Sequence, residues 1–180
     1  KVFERRNPYR EAASGETDAT GRLDVILLGL GNYGSSLAAN LLARKKRILG
    51  VDFDPAVLAK WRARGVPMRY GDAADPDILE SLPLDETNWI ASTVRSQDLN
   101  LALLRLLEVR GFGSRVALTA VTEAEARRYA DAGAHVVFLP FRDAAEQAAD
   151  ALTHAMDMLP RDVDWPVAFR EIRIGSASAF

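Results

Sequence analysis

Three features of the sequence predict an α/β fold built on a parallel sheet. Short apolar runs alternate with amphipathic stretches between residues 24 and 158. The runs are apolar at nearly every position, as expected of strands that helices cover on both faces. The first run ends in a glycine-rich turn that opens a helix. We therefore predict a Rossmann-like, doubly wound parallel sheet of six strands in the order 3-2-1-4-5-6, with a C-terminal crossover helix.

Each element is predicted by a local pattern. Apolar runs predict strands at residues 24–28, 48–51, 67–70, 89–92, 115–120 and 136–139. Apolar residues at helical spacing predict helices at residues 34–45, 55–64, 75–81, 96–110, 123–132 and 143–158. Asp54 and Asp75 each precede a proline and are expected to be N-caps. Arg44, Lys45 and Lys46 are expected in the last turn of the first helix, where cations suit its dipole.

The chain is predicted to have four parts. Residues 1–22 lack apolar periodicity and form a linker, and residues 23–142 form the sheet domain. Residues 143–160 form the crossover helix, whose apolar stripe packs on a partner subunit or on its own domain. Residues 161–180 begin a further segment. Because Lys1 is not an initiator methionine, we expect a piece of a longer protein.

Composition excludes several function classes. The formal net charge is −2, whereas nucleic-acid binding needs a basic field, so no nucleic-acid partner is expected. The absence of cysteine excludes disulfides, thiolate chemistry and cysteine zinc sites. With only two histidines, His135 and His154, we expect no metal site. No apolar run reaches the roughly 18–20 residues of a membrane helix.

The glycine-rich turn is the strongest functional signal. Gly29 allows a tight exit from the strand, Gly31 lets backbone approach a phosphate, and Gly34 lets the helix pack on the sheet. The helix then offers free N–H groups to an anion. Asp52 ends the second strand 18 residues after Gly34, where an acid holds ribose hydroxyls and repels a 2′-phosphate. A turn without ligand is the alternative interpretation.

Three further stretches, which follow the second, third and fourth strands, complete the candidate site. Phe53 and Asp54 follow Asp52, although Asp54 is better explained as a helix cap. The loop of Gly71, Asp72 and Ala73 follows the third strand, and Asp72 either accepts a hydrogen bond from an adenine amino group or caps a turn. Thr93 and Val94 end the fourth strand beneath the expected adenosine; Thr93 is a candidate hydrogen-bonding residue, and Val94 a packing residue.

No catalytic machinery is predicted. None of the four tyrosines has a lysine four positions later, and no glycine-Lys-Ser/Thr phosphate loop occurs. His135 adjoins an apolar strand and is expected to be structural. His154 lies within the late helix. Without an acid–base pair, the chain is expected to bind a nucleotide without turnover.

Four motifs together resemble one family. They are Gly-Leu-Gly-Asn-Tyr-Gly (29–34), Val-Asp-Phe-Asp-Pro (51–55), Tyr-Gly-Asp-Ala (70–73) and Gly-Ala-His-Val-Val-Phe-Leu-Pro (133–140). This set resembles the TrkA-N family, the RCK domains that regulate potassium conductance. Residues 3–9 are similar to the stretch after the last membrane helix of Kef-like cation:proton antiporters, which makes the linker juxtamembrane-like. Residues 169–180 resemble the start of a TrkA-C domain.

The resemblance implies a regulatory domain at the cytoplasmic face of the inner or plasma membrane. Such domains bind NAD(H), AMP, ADP or ATP, form homodimers through the helix at 143–159, and gate a K⁺ or Na⁺ transporter of the same or an associated chain. By this resemblance the phosphates would be held by Gly29, Gly31, Asn32, Tyr33 and Gly34. Asp52 would hold the ribose, and Asp72 with Ala73 the adenine side.

Two alternatives stay open. In the first, the chain is a small NAD-dependent oxidoreductase with an unrecognised base. In the second, it is a degenerate Rossmann-like domain used only for subunit contact. A hydride-transfer assay and a nucleotide thermal-shift panel separate these hypotheses from a regulatory domain.

Overall fold

The computed structural model describes residues 22–113 and 115–158. The linker expected before Leu23 and the segment expected after residue 160 lie outside the described residues. The chain divides after Phe141 into two compact units, and the first contains the whole described sheet.

The described residues form six strands and six helices. The strands are β1 (Val25–Leu28), β2 (Ile48–Asp52), β3 (Met68–Tyr70), β4 (Trp89–Ser92), β5 (Arg115–Thr119) and β6 (Val136–Phe138). The helices are α1 (Asn32–Ala43), α2 (Pro55–Arg62), α3 (Pro76–Glu80), α4 (Gln97–Val109), α5 (Glu123–Asp131) and α6 (Pro140–Met158). A short 3-10 turn, Leu84–Glu86, precedes β4.

The strand order confirms the predicted topology. All paired strands run parallel, in the order β3-β2-β1-β4-β5-β6. The order reverses between β1 and β4, so the loops after these strands diverge to opposite sides of the sheet. This divergence leaves a crevice at the carboxyl edge, where ligands of open α/β sheets bind.

Alternation along the strands divides the core between the two faces of the sheet. Ile26 and Leu28 of β1 pack on one face with Leu103 of α4, and Val25 and Leu27 pack on the other. Apolar side chains are therefore buried on both faces, which explains why β1 is apolar at every position.

Local sequence explains how most helices begin and end. Asp54 and Asp75 accept hydrogen bonds from the second residue of α2 and α3, confirming both predicted N-caps. Gly133, two residues after α5 ends, has φ of +97°, a left-handed conformation that glycine adopts readily at the end of a helix.

Several predicted boundaries differ from the structure by one to three residues, and two of these differences change where a residue lies. α1 ends at Ala43, so Arg44, Lys45 and Lys46 lie in the turn after it and not in its last turn. α6 begins at Pro140, three residues before the predicted start, because proline suits the first position of a helix and need not be a loop residue. No residue of α6 is buried.

Candidate functional site

The turn between β1 and α1 is closed by two glycines that leave no room for a side chain. Gly29 has φ of +79°. A Cβ on Gly34 would lie 2.1 Å from the Gly29 carbonyl oxygen. Gly31 differs, because nothing lies within 4 Å of the position its Cβ would take. α1 thus begins in open space without a side-chain cap, an arrangement that suits a bound anion.

The first two residues of α1 lie beside this opening. Asn32 and Tyr33 are exposed. The Tyr33 ring meets Phe138 of β6 edge to face, with the centroids 6.5 Å apart. Both residues therefore lie at the start of α1, beside the turn.

Asp52 joins the end of β2 to the glycine turn. Its side chain is buried, and Oδ2 accepts a hydrogen bond of 2.6 Å from the Leu30 amide. Oδ1 accepts a second bond of 2.9 Å from the Asp54 amide. Each oxygen keeps a further lone pair, so the carboxylate can still accept ribose hydroxyls. Leu30 was missed from the sequence, because a buried leucine gives no sign that its amide orients an acid.

The two residues after Asp52 have different environments, because Phe53 is exposed and Asp54 caps a helix. Phe53 is 65% exposed, as single apolar side chains on protein surfaces often are. Asp54 Oδ1 accepts a 2.8 Å bond from the Ala56 amide, so this carboxylate caps α2.

The loop after β3 lies against the end of β2. The Gly71 amide donates to the Asp52 carbonyl oxygen at 3.1 Å. Asp72 is exposed, and its Oδ1 accepts from the Ala74 amide at 2.9 Å, so one oxygen shapes the turn. Ala73 is buried. A cavity of about 480 Å³ opens between this loop and α4, lined by Ala73, Ala74, Pro76, Leu79, Ser96, Asp98, Leu99, Ala102 and Leu106.

Thr93 and Val94 support the glycine turn from the β4 side. Thr93 Oγ1 donates a 2.6 Å hydrogen bond to the Gly29 carbonyl oxygen, so its proton is directed at the turn. Val94 Cγ2 lies 3.0 Å from where a Cβ on Gly29 would stand. The two residues hold the turn in place.

A buried polar network behind Val94 was not predicted. Asn100 donates from Nδ2 to the Val94 carbonyl oxygen at 3.0 Å and to the Tyr129 hydroxyl at 3.2 Å. Tyr129 in turn donates to Glu125 Oε1. Burial, and then the hydrogen bond to Glu125, raise the pKa of Tyr129 to about 12. The network links α5 to the loop that supports the turn, and the Thr122-x-x-Glu125 capping spacing was its one sequence signal.

Metal and membrane sites are not found in the described part of the chain. Residues 22–113 and 115–158 contain no group of three or more His, Asp or Glu side chains that could bind a metal ion. His135 Nδ1 accepts from the Val116 amide at 3.2 Å, in keeping with a structural role. No described helix is both long and apolar enough to cross a bilayer.

Comparison with known proteins identifies relatives of the chain. The TrkA-N domain family profile matches residues 25–140. A glutathione-regulated potassium-efflux system protein, KefC of Salmonella arizonae, is 28% identical over 103 residues, covering 54% of this chain and 17% of KefC. A putative K⁺ efflux antiporter, KefB of Alkalimonas amylolytica, is 30% identical over 86 residues, covering 48% of this chain and 13% of KefB. The chain thus spans less than a fifth of the length of each of these relatives.

Solved structures agree on the fold. The TrkA-N domain of the Escherichia coli inner membrane protein ybaL has a TM-score of 0.64 at 21% identity, covering 73% of this chain and 97% of that one. The AMP-bound Kef C-terminal domain of Shewanella denitrificans scores 0.61 at 22% identity, covering 73% and 80%. The NAD-bound GsuK channel scores 0.57 at 16% identity, covering 66% and 22%, and GsuK has also been solved with ADP. With its sheet order, glycine turn and profile match in agreement, the chain belongs to the TrkA-N domain family.

Proposed function

We propose that this chain is the nucleotide-binding regulatory domain of a monovalent cation (K⁺ or Na⁺):proton antiporter or potassium transport system. The observation that carries the proposal is the opening at Gly31, beside an acid that is hydrogen-bonded to the same turn. The potassium-efflux names of the relatives support the transport context. Ligand would gate transport by binding one conformation more tightly than another.

The proposed ligand is an adenine nucleotide without a 2′-phosphate: NAD(H), AMP, ADP or ATP. Its phosphates would lie at the start of α1, near Gly31, Asn32 and Tyr33. Its ribose hydroxyls would donate to Asp52, whose carboxylate is buried and held by two amides. A 2′-phosphate would bring a second negative charge against this carboxylate, which disfavours NADP.

The adenine ring is proposed to lie by the loop after β3. The cavity of about 480 Å³ there has apolar walls, including Ala73, Leu79 and Leu99. The Asp72 oxygen that does not shape the turn would accept from the adenine amino group. The small side chains of Ala73 and Ala74 in the lining leave space for a planar ring.

Assembly is proposed to use α6. Leu152 and Met156 lie one helical turn apart and are 57% and 64% exposed. A helix with an exposed apolar stripe gains stability by packing on a partner. We therefore propose a homodimer through residues 143–159, with the domain at the cytoplasmic face of a membrane, next to the transporter portion of the same or an associated chain.

We propose that the bound nucleotide is a signal and not a cofactor. The buried pair of Glu125 and Tyr129 hydrogen-bond to each other, and the second Glu125 oxygen accepts from the Val121 amide. Neither is free to act as an acid or base toward a substrate. If the chain is instead an oxidoreductase, it will transfer hydride from NADH to a carbonyl substrate, and we expect no such transfer.

Calorimetric titration with AMP, ADP, ATP, NAD, NADH and NADP tests the proposal. We expect binding of at least one ligand without a 2′-phosphate, and binding of NADP at least about tenfold weaker than that of NAD, the loss of one favourable contact or more. Gly31→Ala is expected to weaken binding about tenfold or more by placing a methyl group where the phosphate lies.

Gly113→Ala is the matched control. Gly113 also has open space around its missing Cβ, but it lies before β5, at the opposite edge of the sheet. Its substitution should leave both the melting temperature and nucleotide affinity unchanged. Absence of binding by every nucleotide, or equal binding by Gly31→Ala and Gly113→Ala, would contradict the proposed site.

A further inference from the structure

The edge of the sheet opposite the glycine turn is strongly basic at three neighbouring turns. Because the strands are parallel, the turns that lead into β1, β2 and β3 all lie at the amino edge. Residues 22–24, 44–47 and 63–67 carry six cations and one carboxylate, Asp24. We name the six exposed cations the basic edge: Arg22, Arg44, Lys45, Lys46, Arg47 and Arg64. The acidic turn Leu84–Glu86 before β4 marks its limit.

Local interactions neutralise little of this charge. Among the described residues, Arg47 Nε and Asp24 Oδ2 form an ion pair at these turns, at the long distance of 4.0 Å. Arg44 donates to the uncharged Asn40, and the Arg64 guanidinium lies 5.0 Å from the centre of the Trp61 ring. The positive field of the basic edge therefore extends into solvent.

Lys45 has a backbone conformation that glycine adopts with less strain. Its φ is +57°, in the left-handed region. The helices α2, α4 and α5 are followed at the equivalent turn by Gly65, Gly111 and Gly133, each with positive φ. The turn after α1 has the same two backbone hydrogen bonds as the turns after these helices, but a lysine stands in place of the glycine. Lysine therefore makes this turn less stable than glycine would.

A cavity with a partly apolar lining opens beside the basic edge. Its volume is about 670 Å³, and its lining includes three cations, Arg22, Lys46 and Arg115, and one carboxylate, Asp24. Its apolar walls include Leu37 and Trp89. Cations next to apolar surface are the combination by which peripheral proteins bind anionic membranes.

We propose that the basic edge docks on an anionic phospholipid surface. Three adjacent turns at one edge present their cations side by side, which suits an extended surface of phosphate groups more than a single ligand. Docking through the amino edge leaves the nucleotide opening, at the carboxyl edge, free in solution. The inference rests on the proposed function in one respect, that the domain belongs beside a membrane.

Vesicle co-sedimentation of the 180-residue chain tests this proposal. We expect binding to vesicles of phosphatidylcholine with about one-third phosphatidylglycerol, no binding to phosphatidylcholine alone, and weaker binding as salt screens the charges. Lys45→Glu/Lys46→Glu should weaken binding by at least about 30-fold, since each cation near the surface contributes about fivefold. The control Arg105→Glu/Arg127→Glu makes the same charge change on α4 and α5 and should bind as the wild type does.

Lys45→Gly separates charge from folding. It should raise the melting temperature by about 2 °C by relieving the backbone, yet weaken vesicle binding about fivefold. Lys45→Arg should restore vesicle binding. Equal binding of the wild type to anionic and neutral vesicles overturns the proposal.

The oligomeric state provides a second readout. Suppose that Lys45→Glu/Lys46→Glu changes the oligomeric mass measured by light scattering, while the wild type does not bind anionic vesicles. The basic edge then binds another protein chain, and the membrane proposal is wrong. AMP titration of the same variants is expected to match the wild type. Failure of vesicle binding is thereby distinguished from failure of the nucleotide proposal.

Discussion

Gly34→Ala should destabilise the domain although it adds one methyl group. The added Cβ would lie 2.1 Å from the Gly29 carbonyl oxygen and 2.6 Å from Thr93 Oγ1. Contacts this short require the backbone of the turn to retreat by roughly 1 Å, and overpacking of this kind costs about 3 kcal/mol. Alanine is a better helix former than glycine, which offsets about 1 kcal/mol of this loss in free energy of unfolding. The net loss in free energy of unfolding is therefore about 2 kcal/mol.

Gly50→Ala is the matched control for this prediction. Its Cβ would also be too close to a neighbour, 2.4 Å from Met68 Sδ, but that neighbour is the end of a flexible side chain. Methionine can change rotamer, so we expect a loss of about 1 kcal/mol or less. Urea unfolding of both variants measures the difference. Wild-type stability of Gly34→Ala, or a larger loss for Gly50→Ala, would refute the packing argument.

Three further predictions concern other parts of the chain. Asp54→Ala removes the cap of α2 and should lower the free energy of unfolding by about 1 kcal/mol in urea melts, and an unchanged midpoint would argue against the cap. The pKa of Tyr129 is raised from 10.0 to about 12 in the folded state, so the stability it contributes is complete below pH 10 and is lost as the pH rises through 12. Unfolding at about pH 8 and about pH 11 should therefore show a loss in the wild type that is smaller in Tyr129→Phe. Leu152→Glu/Met156→Glu should shift the chain from dimer to monomer in light scattering, and a dimer that survives the change would place the subunit contact elsewhere.

The sequence was sufficient for the topology because topology follows from local patterns. Six apolar runs and the helices between them require a parallel sheet, and the glycine turn after the first run indicates where the order reverses. Capping was equally local, so Asp54 and Asp75 could be assigned from their neighbours alone. The start of α6 was misplaced because Pro140 can end a strand region or begin a helix, and local pattern does not decide between them.

The sequence by itself determined which residues meet at the carboxyl edge: the glycine turn, Asp52 and the loop after β3. Tertiary structure alone decided what their atoms contact. Asp52 lies 22 residues from the Leu30 amide, and Thr93 lies 64 residues from the Gly29 carbonyl that it binds. Such pairs come together only when the strands align in register, so no pattern along the chain contains them. The same alignment places the turns before β1, β2 and β3 side by side, which makes one basic edge from cations far apart in sequence.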